Sequence, residues 1–265
     1  HARHRCGLKA RSREQFAVVG HVRQGMQQQA NLLDKLTIRR NRSNYESARS
    51  IMAHSQLMQR ELLDLYGITP EKIRVVHPPA DTARFYPQPE SIAATRAQYG
   101  FADDETVFLF PSTGHKRKGL DLLAAFFEQT ALPVKLAVAG SPLPHPMKNV
   151  LELGFCKNMP ELYRAADYTI MASMYEPFGL VGVESVLCGT RVVLADNMGC
   201  CEVLTDSAGF FFSRQNPQTL ASCIEKAVNL KAAGLHKLAD PKQALSYNPT
   251  LPHHIRQLFQ MLEAV

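Results

Sequence analysis

Two glutamates stand eight positions apart in the stretch "YEPFGLVGVE", a spacing that could let them bind one ligand. Pro177 should end the preceding apolar strand, and the pattern predicts that a helix begins near Leu180. Glu184 then lies one turn past Leu180 on the same helix face. Its carboxylate could accept hydrogen bonds from both hydroxyls of a ribose. Glu176 precedes the helix and could contact another part of the same molecule.

Backbone groups of this segment could add hydrogen-bond donors. The first amides of a helix lack an intrahelical acceptor, so those of Phe178, Gly179 and Leu180 could meet a phosphate or sugar oxygen. The alternative for either glutamate is an acid that only stabilises the first turn of a helix. That alternative does not explain why Glu176 stands beside Pro-Phe-Gly.

A basic triplet follows the apolar run "TVFLFP". Lys116, Arg117 and Lys118 come directly before Gly119, where the sequence predicts that a helix begins. Three cations at a helix start repel one another unless an anion normally lies there, and Gly119 allows a close backbone approach. The pattern favours an anion site, with Gly114 as a further substrate-binding candidate. The alternative is a solvated basic turn.

A third loop, "ELGFCKNMPELY", could hold a base. Gly154 and Phe155 follow a short predicted strand, and a flat apolar wall with free backbone groups suits a nucleobase. The alternative is that Phe155 belongs to the core. Together the three loops offer cations for a diphosphate, an acceptor for a diol, a backbone edge for a base and a second carboxylate. This combination fits a nucleotide sugar.

The elements around these loops alternate between strand and helix. Strands are predicted at 16–20, 50–55, 73–79, 106–111, 134–140, 168–173 and 191–196. Helices are predicted at 55–67, with Ser55 as N-cap and Gly67 as stop, and at 119–130, 159–166 and 180–189. Nearly continuous apolar strands alternating with helices predict an α/β fold with parallel sheets covered on both faces. Ligands of such sheets bind at the carboxyl ends of the strands, where these loops lie.

A proline-rich segment divides the chain. Residues 78–90, "PPADTARFYPQPE", have no periodicity and form the predicted crossing between two Rossmann-like domains. Residues 1–77 are then the last portion of a first domain, and 91–248 are a complete second domain. A C-terminal helix within 249–265 is expected to pack back on the first domain.

Composition narrows the functional classes. No apolar stretch approaches the ~18 residues of a membrane span, and no signal-peptide pattern is visible. The six cysteines form no C-x-x-C pair, and the histidines lack partners at metal-ligand spacing. We therefore expect no metal site and a reducing, cytoplasmic location.

Positive charge is concentrated near the start. Residues 1–43 contain ten Lys or Arg against two acids, a net charge of +8, whereas the whole chain carries +6. Such a block attracts phosphate from nucleic acid, anionic lipid or a phosphorylated acceptor. The alternative is a solvated face without a partner. A nucleic-acid-binding module would need aromatic residues among the cations, and this block has only Phe16.

Several motifs together resemble one family. "EPFGLVGVE" resembles the E-x7-E element of the GT-B glycosyltransferases of family 4, retaining enzymes that use sugar nucleotides. The resemblance covers roughly residues 45–230 and includes "KRKGLDLL", "LYRAADYTIMAS", "CGTRVVLADNMGCCEVL" and "YGITPEKIRVVHPPADTARFYP". The "KRKG" turn looks most like that of lipopolysaccharide-core hexosyltransferases.

The resemblance implies a role for each matching residue. Arg117 and Lys118 would bind the diphosphate, Glu184 the ribose, and Glu176 the donor sugar with help from the amides of 178–180. The backbone at Phe155 would read the base. His21 stands where many members carry a histidine facing the sugar, although it could instead bond to nearby backbone at a strand end.

Two positions depart from the family pattern. Ser112 and Thr113 replace an arginine that usually precedes the lysine, and Gly199-Cys200 replaces a Gly-Gly pair.

The function implied is transfer of a hexose from a nucleoside diphosphate, UDP by preference, to an acceptor hydroxyl with retention. The acceptor expected is a glycolipid such as lipopolysaccharide core, with the basic segment touching an anionic membrane. No metal or other cofactor is expected. Two alternatives are a phosphorylase or epimerase with the same donor pocket and a basic nucleic-acid-binding module.

Overall fold

A computed structural model describes residues 16–18 and 32–263 of the chain. The predicted site residue His21 lies outside these ranges. The chain divides into two compact units. One unit contains the described residues up to Pro78 together with the C-terminal helix, and the other is Pro79–Thr250.

The first unit contains a small parallel sheet. Its strands, in spatial order, are β1 (Phe16–Val18), β2 (Ser50–Ala53) and β3 (Ile73–Val75). Its helices are α1 (Leu32–Ser47), α2 (Gln56–Tyr66) and α9 (Leu251–Glu263). The predicted limits of α2 are confirmed, because Ser55 accepts a hydrogen bond from the Met58 amide and Gly67 ends the helix in the left-handed conformation. Ile51 and Leu62 are fully buried in the core of this unit.

The second unit is built on a six-stranded, all-parallel sheet. Its strands are β4 (Thr106–Ser112), β5 (Val134–Gly140), β6 (Val150–Gly154), β7 (Tyr168–Met171), β8 (Arg191–Ala195) and β9 (Gly209–Phe212). The helices of this unit are α3 (Ile92–Tyr99), α4 (His115–Lys118), α5 (Leu120–Gln129), α6 (Met159–Ala165), α7 (Leu180–Leu187) and α8 (Pro217–Ala232). Every residue of β4 is buried, as its unbroken apolar run predicts for a central strand.

The strand order of the larger sheet creates a topological switch point between β4 and β7. Its order is β6-β5-β4-β7-β8-β9, so the chain builds outward from β4 in one direction and from β7 in the other. β4 and β7 are neighbours, with Phe108 opposite Tyr168 and Leu109 opposite Thr169. From the carboxyl ends of these two strands the chain continues toward opposite sides of the sheet. Ligands bind at such a switch point. The basic triplet follows β4, and Glu176 follows β7.

Candidate active site

The basic triplet lies on a short helix of its own. The prediction that a helix begins at Gly119 was incomplete, because His115–Lys118 already forms the single turn α4, and Gly119 separates it from α5. The Lys118 amide donates to the Gly114 carbonyl at 3.0 Å. Gly114 is therefore the N-cap of the basic turn.

The basic turn packs directly on the end of β7. Gly119 has φ +80°, and a Cβ atom there would overlap the carbonyl group of Ala172. Two residues further on, the Met174 amide donates to the Arg117 carbonyl at 2.8 Å. The loops after β4 and β7 are thus joined through their backbones, and the charged side chains that they carry are brought together.

Arg117 and Glu176 form an ion pair across these loops. The Arg117 Nη1 atom lies 3.2 Å from Glu176 Oε2 and also donates to the Tyr175 carbonyl at 3.1 Å. The arginine side chain is 48% exposed and the glutamate 18%. Because the arginine remains half exposed, several of its N–H groups can still reach a ligand.

Lys118 points inward from the same turn. Its Nζ atom donates to the Pro111 carbonyl at 3.0 Å. Burial lowers the pKa of this ammonium and the charge of Arg117 acts in the same direction, while Glu176 and Glu184 oppose the shift. Both predicted acids thus interact electrostatically with Lys118, and with the Arg117–Glu176 ion pair these four side chains are called the cluster below.

Glu184 is the fifth residue of α7 and is held by a tyrosine. The hydroxyl of Tyr163 donates to Glu184 Oε2 at 3.0 Å. Burial raises the pKa of the Glu184 carboxyl, and the Tyr163 hydrogen bond and the charges of Arg84 and Lys118 counteract it. The carboxylate is an acceptor that carries negative charge in a partly dry setting.

The loop that precedes α7 is fixed by the turn after β8. The Gly199 amide donates to the Glu176 carbonyl at 3.0 Å, and the Cys200 amide donates to the Phe178 carbonyl at 2.6 Å. The Gly199-Cys200 pair, which departs from the family pattern, thus supports the loop through its backbone. Gly179 is left-handed with φ +92°, and the predicted helix start at Leu180 is confirmed.

The third loop meets the site through an arginine. Gly154 belongs to β6 rather than following it, and the Phe155 side chain is 77% exposed, so the alternative that it is core is wrong. The Arg84 Nη2 atom donates to the Lys157 carbonyl in this loop at 3.0 Å. Burial raises the pKa of Glu184, and the positive charge of Arg84 acts to lower it. One arginine thus interacts with the loop that follows β6 and with a side chain of α7.

Four residues around the cluster were not predicted. Tyr163 holds Glu184, Arg84 links the third loop, and Arg214 donates to the Ala172 carbonyl beside Gly119. Asn197 donates to the carbonyls of Ser173 and Met174 at 3.2 and 3.0 Å. Nothing in the sequence singled out Tyr163, because its helix α6 also carries the polar residues Glu161 and Arg164. Nothing singled out Arg214 either, because it follows a strand that the sequence did not reveal.

Two features are missing from the part of the chain that the structure describes. In these residues no three His, Cys, Asp or Glu side chains are grouped so that they could hold a metal ion. Over the same residues, no helix combines the length and the apolar character needed to cross a bilayer.

Two protein-family descriptions match the chain. Residues 91–244 match glycosyl transferases group 1, and residues 2–84 match glycosyltransferase family 4.

Among curated proteins, a probable transglycosylase of Burkholderia thailandensis is 43% identical over 232 residues, which are 86% of this chain and 64% of that protein. A D-inositol 3-phosphate glycosyltransferase of Kineococcus radiotolerans is 35% identical over 62% of this chain and 43% of its own length. The chain thus spans less than two thirds of the length of these relatives.

Solved structures show the same fold at lower identity. The Anabaena protein Alr3699/HepE in complex with UDP and glucose has a TM-score of 0.73 and 24% identity, over 87% of this chain and 67% of that one. WaaG, a glycosyltransferase involved in lipopolysaccharide biosynthesis, has a TM-score of 0.63 and 20% identity over 71% and 56% of the two chains.

Proposed function

The chain belongs to the glycosyl transferases of group 1 and has the predicted GT-B fold, and from that premise we propose that it moves a hexose from UDP-hexose to an acceptor hydroxyl with retention of configuration. The observation that carries this proposal is the cluster of Arg117, Lys118, Glu176 and Glu184 in the loops and helix that follow β4 and β7. Two cations suit a diphosphate, and two acids suit sugar hydroxyls.

Each member of the cluster has a part in the proposed reaction. Negative charge develops on the diphosphate as its bond to the anomeric carbon breaks, and Arg117 and Lys118 stabilise that charge. Glu176 accepts from hydroxyls of the hexose, and Glu184 accepts from the ribose. The first amides of α7 add donors at a helix end that favours anions. In this proposal the two cations neutralise the leaving group without a metal ion.

In the proposed transfer, one bond forms, one bond breaks and one proton moves within a single step. The acceptor oxygen forms a bond to the anomeric carbon on the face from which the diphosphate leaves. The proton of the acceptor hydroxyl passes to an oxygen of the departing phosphate, and UDP is released. A protein nucleophile is not required, because acceptor attack and phosphate departure take place on the same face.

Uridine is the base we propose. The Anabaena structures with 23–24% identity were solved in complex with UDP, with UDP and glucose, or with UDP-glucose. The loop after β6, whose Lys157 carbonyl accepts a hydrogen bond from Arg84, is the segment that would read the base.

A panel of nucleotide sugars tests the donor. We expect UDP-sugars to raise the melting temperature of the chain, whereas GDP- and ADP-sugars have little effect. The Glu184→Gln variant is the matched control, and its shift with UDP-sugars should be smaller because it keeps the shape of the side chain but loses its charge. Equal shifts with all bases would reject the choice of uridine, and no shift with any nucleotide sugar would reject the transferase itself.

For the acceptor we propose a glycolipid such as lipopolysaccharide core, reached at an anionic cytoplasmic membrane face. Helix α1 exposes Arg39 and Arg40 beside the apolar side chains of Leu36 and Ile38, which are 55% and 45% exposed. Such a combination binds anionic lipid by charge and by shallow burial. The same unit contains a cavity of about 430 Å³ whose lining includes Arg49, Lys72 and Arg74.

Vesicle binding tests the membrane contact. Replacing Arg39, Arg40 and Arg42 with Gln should weaken binding to vesicles containing anionic lipid by about 100-fold, at about 1 kcal/mol for each charge near the surface. A control with the same loss of charge replaces three exposed lysines of the second unit, Lys148, Lys226 and Lys242. Equal loss in both variants would show a net-charge effect only and would remove α1 from the proposal.

A further inference from the structure

The Tyr163 hydroxyl restrains Glu184 through a hydrogen bond. Tyr163 is 1% exposed, and its hydroxyl lies 3.0 Å from Glu184 Oε2. The tyrosine hydroxyl has one proton and the carboxylate is an acceptor, so Tyr163 donates. One lone pair of Oε2 is therefore occupied, and the other carboxylate oxygen remains available to a ligand.

The tyrosine itself is fixed from two sides. Thr190 Oγ1 donates to the Tyr163 carbonyl at 2.6 Å, which attaches the end of α6 to the start of β8. The ring meets Phe85 edge-on, with centroids 6.0 Å apart. A buried ring with both backbone and face restrained does not change rotamer easily, so its hydroxyl holds the carboxylate in one position.

We infer that Tyr163 is a positioning residue that fixes Glu184 for the ribose diol, an inference that rests on the proposed function. A glutamate has three rotatable bonds, and holding one carboxylate oxygen removes most of that freedom before the nucleotide arrives. The diol then meets an acceptor that is already placed.

The hydroxyl also affects the protonation of Glu184. Burial raises the pKa of this carboxyl, and the Tyr163 hydrogen bond is the first of the groups that lower it, ahead of Arg84 and Lys118. Without the hydroxyl the pKa rises further, so the carboxyl binds a proton at higher pH and loses acceptor capacity. A role confined to packing would not produce this pH dependence.

The test is calorimetric titration of the full chain and its Tyr163→Phe variant with UDP and with 2′,3′-dideoxy-UDP. We expect the variant to bind UDP about tenfold more weakly at pH 7, the size expected for a hydrogen bond to a charged group. The loss should be larger at pH 6 than at pH 8. Dideoxy-UDP has the same diphosphate but no diol, so the variant should bind it as the unmodified chain does.

Tyr168→Phe is the matched control. The hydroxyl of this buried tyrosine donates to the Ala227 carbonyl at 2.9 Å and does not contact Glu184. Its removal should lower stability without changing affinity for either nucleotide. In a Glu184→Gln background the effect of Tyr163→Phe on UDP affinity should shrink, since the two side chains act as a unit.

The outcomes separate this inference from the proposed function. If the unmodified chain binds UDP and Tyr163→Phe binds it equally well, the inference is wrong and the proposed function stands. Equal weakening for UDP and dideoxy-UDP would show a packing role and would also overturn the inference. If the unmodified chain binds no UDP, the proposed function fails, and the inference fails with it.

Discussion

The ammonium group of Lys118 is partly buried and senses three charged neighbours. Burial and Arg117 lower its pKa, whereas Glu176 and Glu184 raise it. In the structure the Lys118 ammonium donates a hydrogen bond to the Pro111 carbonyl, which is an uncharged acceptor. A diphosphate would offer this ammonium a stronger, charged acceptor at the point where negative charge grows.

Replacing Lys118 with Ala should reduce kcat by about 100-fold or more. Loss of one preorganised group that stabilises developing charge typically costs about 2.7–4 kcal/mol of transition-state energy. Steady-state kinetics with a UDP-sugar donor measures the change. The matched control is Lys135→Ala, a lysine at the start of β5 that pairs with Glu105 at 3.3 Å. Near-normal turnover of Lys118→Ala would remove this lysine from the catalytic assignment.

The connection from α4 to α5 sets the position of the cations. Gly119 is left-handed, and a Cβ atom there would overlap the Ala172 carbonyl. Only glycine allows both the turn and the close approach to β7. The basic side chains are therefore placed by a backbone contact rather than by their own interactions.

Gly119→Ala should destabilise the chain by about 2–5 kcal/mol. About 1–2 kcal/mol comes from a non-glycine residue in the left-handed region, and about 1–3 kcal/mol comes from the steric overlap. Gly100→Ala is the control, because Gly100 has φ +67° but open space around its Cβ position. Gly100→Ala should therefore cost only the about 1–2 kcal/mol of the left-handed backbone conformation. Urea unfolding measures both, and equal losses would show that contact with Ala172 has no energetic consequence.

Elements with strong local patterns were predicted well. The central strands are continuous apolar runs, and α2 carries both its cap and its glycine stop. Four helices and one strand of the described residues were not predicted: α1, α3, the single turn α4, α8 and β9. Helices α1 and α3 have weak amphipathic patterns, and β9 has only four residues. Short or weakly patterned elements depend on tertiary packing, which a local pattern does not record.

The candidate site shows the same division between local and tertiary information. The motifs carry the charged residues, and their assembly follows from the switch point of the parallel sheet. The hydrogen bond from Tyr163 to Glu184 joins residues 21 positions apart, and the Arg84 contact to Lys157 spans 73 positions. Such partners are set by the packing of α6, α7 and the crossing segment, so spacing along the chain does not predict them.

In the second unit, the predicted site and a network of buried charges that stabilises the fold lie at opposite ends of the sheet strands. The predicted site lies at the carboxyl ends of β4 and β7, whereas a buried charge network lies at their amino ends. Asp167, with a side chain 3% exposed, accepts from the Val107 amide at 2.8 Å and from Lys231 at 2.9 Å. His236 and Arg96 lie 3.3 and 3.5 Å from the same carboxylate.

This network predicts a loss of stability in acid. Burial alone would raise the pKa of Asp167, but hydrogen bonds from His236, the Val107 amide and Lys231 outweigh it and lower the pKa from 3.8 to about 2. A depressed folded-state pKa contributes stability that is complete above pH ~4 and is lost as the pH falls toward 2. The contribution is about 2 kcal/mol.

Denaturant unfolding of Asp167→Asn between pH 2 and pH 6 measures that contribution. The variant should be less stable than the unmodified chain at pH 6, and the difference should narrow toward pH 2. Asp103→Asn is the control, because that carboxylate is 99% exposed although it also pairs with Arg96. It should change stability by less than about 1 kcal/mol. A constant difference across the pH range would contradict the assignment.

Residues 79–250 should bind UDP on their own. The predicted site residues that the structure describes all lie in this unit, and so do the crossing arginine Arg84 and the large core that runs from Ala80 to Ala244. We therefore expect this fragment to unfold cooperatively and to bind UDP within about threefold of the full chain, a difference below 1 kcal/mol. Calorimetry on both forms gives the comparison, with Glu184→Gln in the fragment as the control that should weaken binding. A folded fragment without UDP affinity, beside a full chain that binds UDP, would contradict this prediction.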